Sequence, residues 1–213
     1  MKRVLFCLTL AALPSLGGSR QGPVASIPPI VIYAQFQEDP SSAVEEALQT
    51  ELETIMNPVG LHFEWRDLNG AGNATAVELV VVTFRGHCGL DRLQPVDVMP
   101  GPLGWTHVSN GIVLPFSEVD CSAVRGFLQR ELLARPPSAR PEIYGRALGR
   151  VLAHELYHVL ADTESHGVVG VAKSGYTVVD LLAHDFAFEA AELRALLGSK
   201  AHQALEKAIS LAP

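Results

Sequence analysis

Apolar positions fall into blocks whose spacing changes along the 213-residue chain. Pro29 to Gln37 is rich in β-branched and aromatic residues and reads as a strand. From Ala43 to Met56 apolar and acidic residues recur at helical period, after the capping residues Asp39, Ser41 and Ser42 and before the breaker Asn57-Pro58. Leu61 to Leu68 alternates with period two, as a half-buried strand does. After a polar loop from Asn69 to Thr75, Ala76 to Arg85 is almost continuously apolar and fits a central strand. Beyond Cys88 the chain becomes rich in Pro and Gly from Pro95 to Gly104. Two short strands, Leu103–Val108 and Ile112–Phe116, then flank the turn pair Asn110-Gly111. Asp120 or Ser122 caps a helix to about Leu133, and Arg135 to Pro141 interrupts it. Tyr144 to Asp162 repeats at helical spacing, followed by a Gly-rich loop, Gly167 to Gly175. Two short helices, roughly Asp185–Leu197 and Ser199–Leu211, close the chain. Strands mixed with helices in this order imply an α+β fold.

The first residues change the compartment. Met1 to Arg3 are basic at two positions, Val4 to Leu13 form an apolar run, and small residues follow at Ser15, Gly17, Gly18 and Ser19. That layout predicts a secretory signal peptide over residues 1–19, its run too short to span a bilayer. Residues 20–29 then form an extended tail and 30–213 a single domain. No second stretch is long enough to cross a membrane, so a secreted or periplasmic location and a monomer are expected. Removal of Cys7 with the leader leaves Cys88 and Cys121, and an even pair in an exported chain predicts one disulfide. The net charge of −7, with no basic patch, argues against a nucleic-acid partner. Asn73-Ala74-Thr75 matches a glycosylation sequon.

The candidate chemistry lies in the long helix. Ile143, Ala147, Leu148, Val151, Leu152, Leu156, Val159 and Leu160 make it apolar nearly all round, as in a buried helix. Into that surface are set His154, Glu155 and His158. Polar groups in such a place are costly unless they are paired or bound to metal. Residues four apart share a helix face, so the two imidazoles can grip one ion from the same side. Glu155, about 100° further round the axis, stays off the ion but close enough to act as general base.

His154-Glu155-Leu156-Tyr157-His158 spells H-E-x-x-H, and the chain resembles the zincin metallopeptidases. Its layout from about Ile30 to Asp162 looks most like the metzincin branch, although close residue identity is confined to the five-residue motif. The resemblance implies a small twisted mixed sheet packed over the motif helix, with a short helical C-terminal part. It also implies an edge strand near Gly104–Leu114 that holds peptide or protein substrate as an extended strand. The metzincin pattern H-E-x-x-H-x-x-G-x-x-H is not continued, since Ala161 and Glu164 stand at the glycine and last histidine positions. No methionine follows Met99, so the methionine turn is missing too.

A catalytic zinc takes three protein ligands and keeps a fourth position open. For the third ligand the sequence leaves several candidates. His166 has the best ligand chemistry and is followed by Gly167; Glu164 holds the metzincin position; Glu189 or Glu192 would resemble the gluzincin arrangement. Asp162 or Asp180 can accept a hydrogen bond from a ligand imidazole, and Tyr176 stands where some zincins place a tyrosine that stabilises the oxyanion. His62, His87, His107 and His202 have no ligand spacing.

The resulting expectation is an exported zinc peptidase. His154, His158 and His166 hold Zn2+, Glu155 is the general base for a zinc-activated water, and Tyr176 assists. The alternative is a zincin-like metal-binding module with little or no hydrolytic activity.

Overall fold

Six helices and a five-stranded mixed sheet, an α+β architecture, account for the described part of the chain. The computed structural model describes residues 29–68, 76–91, 93 and 101–210. The leader at 1–19, nearly all of the tail at 20–29, the loop with the sequon, and residues 94–100 lie outside the described residues.

The strands are β1 (Ile30–Glu38), β2 (Phe63–Asp67), β3 (Glu78–His87), β4 (Gly104–Ser109) and β5 (Ile112–Asp120). The helices are α1 (Ser42–Met56), α2 (Cys121–Leu133), α3 (Arg140–Ala161), α4 (Val178–Leu182), α5 (Ala190–Leu197) and α6 (Lys200–Ser210). The strand order is β2-β1-β3-β5-β4. All neighbours are parallel except β4, which pairs antiparallel with β5 and forms one edge. Asn110 and Gly111 carry the β4–β5 turn with φ of 53° and 74°. Positive φ at both central positions matches the right-handed twist of the flanking strands.

β3 is central, as its apolar run predicts, but it is not buried on both faces. Val80, Val82 and Phe84 point into the core with Ile30 and Ile32 of β1, whereas Leu79 on the opposite face is 47% exposed. Helices cover one face of the sheet at this strand, so alternation returns even where the sequence is apolar throughout.

α3 runs through the middle of the protein, packed against α1, α2, β4, β5 and the C-terminal helices, with most of its residues buried. It starts before Tyr144 because Pro141 sits in its first turn, where a missing N–H costs nothing. Gly145 and Gly149, four residues apart, let the α1 backbone lie directly on α3. A Cβ on Gly149 would come 2.7 Å from the Leu48 carbonyl oxygen and 3.0 Å from Glu51 Cβ. The next residue, Arg150, is 1% exposed. Its Nε donates to Glu51 Oε1 of α1 at 2.6 Å, and its Nη1 donates to the carbonyls of Asp180 and Leu181 at 3.2 and 3.0 Å. The guanidinium also covers the Phe186 ring at 4.6 Å. One buried cation thus ties α1, α3 and α4 together just before the motif.

Cys88, after β3, is bridged to Cys121 at the start of α2. Asp120 caps α2 by accepting from the Ala123 amide at 2.8 Å. The C-terminal part differs from expectation in two ways. α4 falls in a stretch to which the sequence assigned no element, between the Gly-rich loop and the next helix, and is set by a capping box between Thr177 and Asp180. The helix expected from Asp185 begins only at Ala190, with His184 and Asp185 exposed ahead of it. Among the described residues no helix is long and apolar enough to cross a membrane.

Candidate metal centre

α3 brings His154 and His158 one turn apart onto its buried face, 8% and 7% exposed. Each ring is oriented from behind by a backbone carbonyl. His154 Nδ1 lies 2.8 Å from the Val171 oxygen, and His158 Nδ1 lies 2.7 Å from the Thr163 oxygen. A carbonyl only accepts, so both Nδ1 atoms carry the hydrogen. Both Nε2 atoms therefore present lone pairs, and they face each other at 3.1 Å. Two bare lone pairs at that distance repel unless a cation lies between them. Burial disfavours the imidazolium forms, pushing His154 down to about 4 and lowering His158 as well.

His166 completes the group. Its ring stacks on His154 with centroids 5.2 Å apart and meets His158 edge-on at 4.7 Å. One ligand atom from each of the three lies within 4.8 Å of the others, so the three histidines can hold a metal ion. The chain reaches this position by a left-handed turn at Asp162, φ 49°, one residue after Ala161. A short Asp side chain tolerates that conformation. Glu164 lines the cleft but lies outside the histidine cluster; Glu189 is exposed ahead of α5, and Glu192 is buried elsewhere. The ring-orienting task considered for Asp162 and Asp180 falls to the carbonyls instead. Asp180 caps α4 and pairs with Lys173 at 2.8 Å, and its hydrogen bonds hold its carboxyl down at about 2.

Glu155 is 4% exposed and points towards β4. Thr106 Oγ1 lies 2.8 Å from its Oε2 and 3.0 Å from its backbone oxygen. Burial raises the carboxyl to about 7, against the pull of the Thr106 hydroxyl. Gly104 leaves the other oxygen free, because a Cβ there would come 2.9 Å from Glu155 Oε1. Tyr176 also joins the cluster. Its hydroxyl donates to the Val171 carbonyl and lies 3.2 Å from His154 Nδ1, on the side of that ring away from Nε2.

Thr106 was not foreseen. It stands 49 residues before Glu155 in the chain, and no spacing rule links them. The Val171 and Thr163 carbonyls have no side-chain signature at all.

Two clefts, about 300 and 280 Å³, share Gly104, His154, Glu155 and Ser174 in their walls. The first is walled by Leu103, Phe127, Val151 and Lys173; the second runs along Trp105, Thr106 and Val108 of β4 to His158 and His166. The edge strand thus borders the histidines directly. No protein-family model and no curated protein matches this chain.

Proposed function

We propose that the chain is an exported zinc peptidase of the zincin type, with His154, His158 and His166 as ligands and Glu155 as general base. The reading rests chiefly on the facing Nε2 atoms of His154 and His158, both with Nδ1 hydrogens committed to carbonyls. Two nitrogens bound tetrahedrally at zinc, each about 2.05 Å from it, are about 3.3 Å apart, and the 3.1 Å separation fits that chord. The donor set, three imidazoles with carbonyls behind two of them, suits zinc and leaves a fourth position open.

Bound there, zinc would supply Lewis acidity, polarising a substrate carbonyl and acidifying water. The remaining work belongs to the protein. Glu155 takes the proton of the attacking water and delivers it to the leaving amine, a task suited to a carboxyl raised towards neutrality. Thr106 fixes the carboxylate, and Gly104 keeps its second oxygen accessible. Substrate adds as an extended strand to β4, outermost of the described strands, which runs beside the histidines. Tyr176 holds His154 through the shared Val171 carbonyl, and its assistance to catalysis is through that ring. The Cys88–Cys121 bridge suits an oxidising compartment, in agreement with export.

The test is zinc content and cleavage of a mixed peptide library by the parent and by Glu155→Ala. One zinc in both, with cleavage by the parent only, supports the mechanism. Zinc in both with cleavage by neither would leave a metal-binding module. Absence of zinc from both refutes the metal reading itself.

A further inference from the structure

Two of the three histidines have a built support behind the ring, whereas His166 is exposed and stands on a loop. The residue after it, Gly167, shows how that loop is held. Gly167 does not adopt positive φ, so its backbone conformation does not call for glycine. Space does. Any Cβ at 167 would collide with Glu192 Oε1 and come 3.4 Å from Glu192 Cδ.

Glu192, on α5, is 7% exposed, and its Oε2 has no hydrogen-bond partner among the described residues. A buried carboxyl oxygen without a donor is costly to keep. A leucine or methionine would fill the space at lower cost, so the group calls for a reason beyond packing. The carboxyl group therefore lies under the loop that carries His166, on a helix packed against α3, which carries His158. Around it the loop is closed by the Gly167 amide donating to the Ala172 oxygen at 2.7 Å, and by the Val171 amide donating to the Ala187 oxygen at 3.1 Å.

We infer that Glu192 is the positioning residue for the third metal ligand: its carboxyl group, wedged beneath Gly167, sets where the loop places His166. The inference rests on the metal site proposed above and assigns Glu192 no contact with the ion. It recasts one of the sequence candidates for ligand as the support of another.

The test is zinc affinity, measured on metal-free protein by competition with a chromophoric chelator. Glu192→Ala should weaken zinc binding about 10- to 100-fold, the usual effect of removing an outer support. Glu192→Gln keeps the shape of the wedge and should stay within about threefold of the parent on the same scale. Gly167→Ala should weaken binding as Glu192→Ala does, and the double variant should be no worse than either single one, since removing the carboxyl makes room for the methyl. In a His166→Ala background Glu192→Ala should have no further effect, which a general loss of structure would not reproduce. Unchanged affinity in Glu192→Ala, or an equal loss with and without His166, overturns the inference while leaving the metal site intact. A parent that binds no zinc overturns both.

Discussion

Replacing Glu155 by Gln should make the metal-free protein more stable, and the gain should depend on pH. Burial raises this carboxyl from an ordinary 4.5 to about 7. Between those values the folded protein holds a proton that the unfolded chain has already lost. Its contribution is therefore present at low pH and is lost as pH rises through the window. Above pH 7 the folded state carries a buried carboxylate that costs about 3 kcal/mol, from about 1.4 kcal/mol per pKa unit. Glutamine has nearly the same shape, cannot ionise, and can still accept from the Thr106 hydroxyl, whose oxygen lies 2.8 Å from Oε2. In chelator-treated samples, urea unfolding should show Glu155→Gln about 3 kcal/mol more stable than the parent at pH 8. The advantage should shrink with acidity and vanish near pH 4.5. A variant no more stable than the parent at pH 8 would refute the claim that this carboxylate is held at a cost.

The other expectations concern its neighbours and the frame. His154, pushed down to about 4 by burial, has the opposite sign: the unfolded chain takes up its proton first as pH falls from 6.5. Metal-free parent should thus lose about 3 kcal/mol from this group between pH 6.5 and 4, and His154→Asn should lack that loss in the same urea assay. Thr106→Val removes a hydrogen bond to the charged form of Glu155 and should raise that carboxyl by a further unit or so, read by carbon NMR of the labelled side chain. Gly149→Ala gains helix propensity but forces Leu48 and Glu51 away. A net loss of about 1–2 kcal/mol is expected, and a rise in denaturation midpoint would contradict the packing described. Glu51→Ala strands the Arg150 cation, 1% exposed, and should cost about 3–5 kcal/mol of stability in thermal unfolding.

What could be read from the sequence was what periodicity encodes. The long helix was visible because fifteen or more residues kept one spacing, and the alternating and apolar runs marked strands. α4 escaped because five residues are too few for a period, although Thr177 and Asp180 are spaced as a capping box. The sheet order, with β5 beside β3 and β4 outermost, depends on long-range pairing that no local pattern records. His154, Glu155 and His158 were legible because one helix fixes their geometry. The third member of the cluster was not fixed by spacing, since a loop can bring residue 164 or 166 to the same point. Imidazole chemistry favoured His166, and the loop closed by Gly167 and Ala172 places its ring against the other two. The partners behind His154 and His158 are main-chain oxygens, which every residue type offers equally, so no sequence reading could name them.

The energetics of this region point the same way as its geometry. Two lone pairs face each other at 3.1 Å, a carboxyl is raised to about 7, and a second carboxyl oxygen is buried without a donor. Each costs stability, and a core selected for stability alone would replace all three with apolar residues of similar volume. They share one helix and the loop and helix that face it; elsewhere among the described residues Trp65 Nε1 and His202 Nδ1 are also buried without a partner, but no other place gathers three such costs. Costs gathered in one place persist when something else depends on them. A cation between the imidazoles would turn the first cost into binding energy and lower the second by its charge. The third is linked to the ion only through the loop that carries His166. Zinc titration should therefore raise the thermal midpoint of the parent and reduce the stabilising effect of Glu155→Gln, and Glu192→Ala should be less favourable to stability with zinc present than without it. Equal stabilisation by Glu155→Gln with zinc present would mean that no ion comes near that carboxylate.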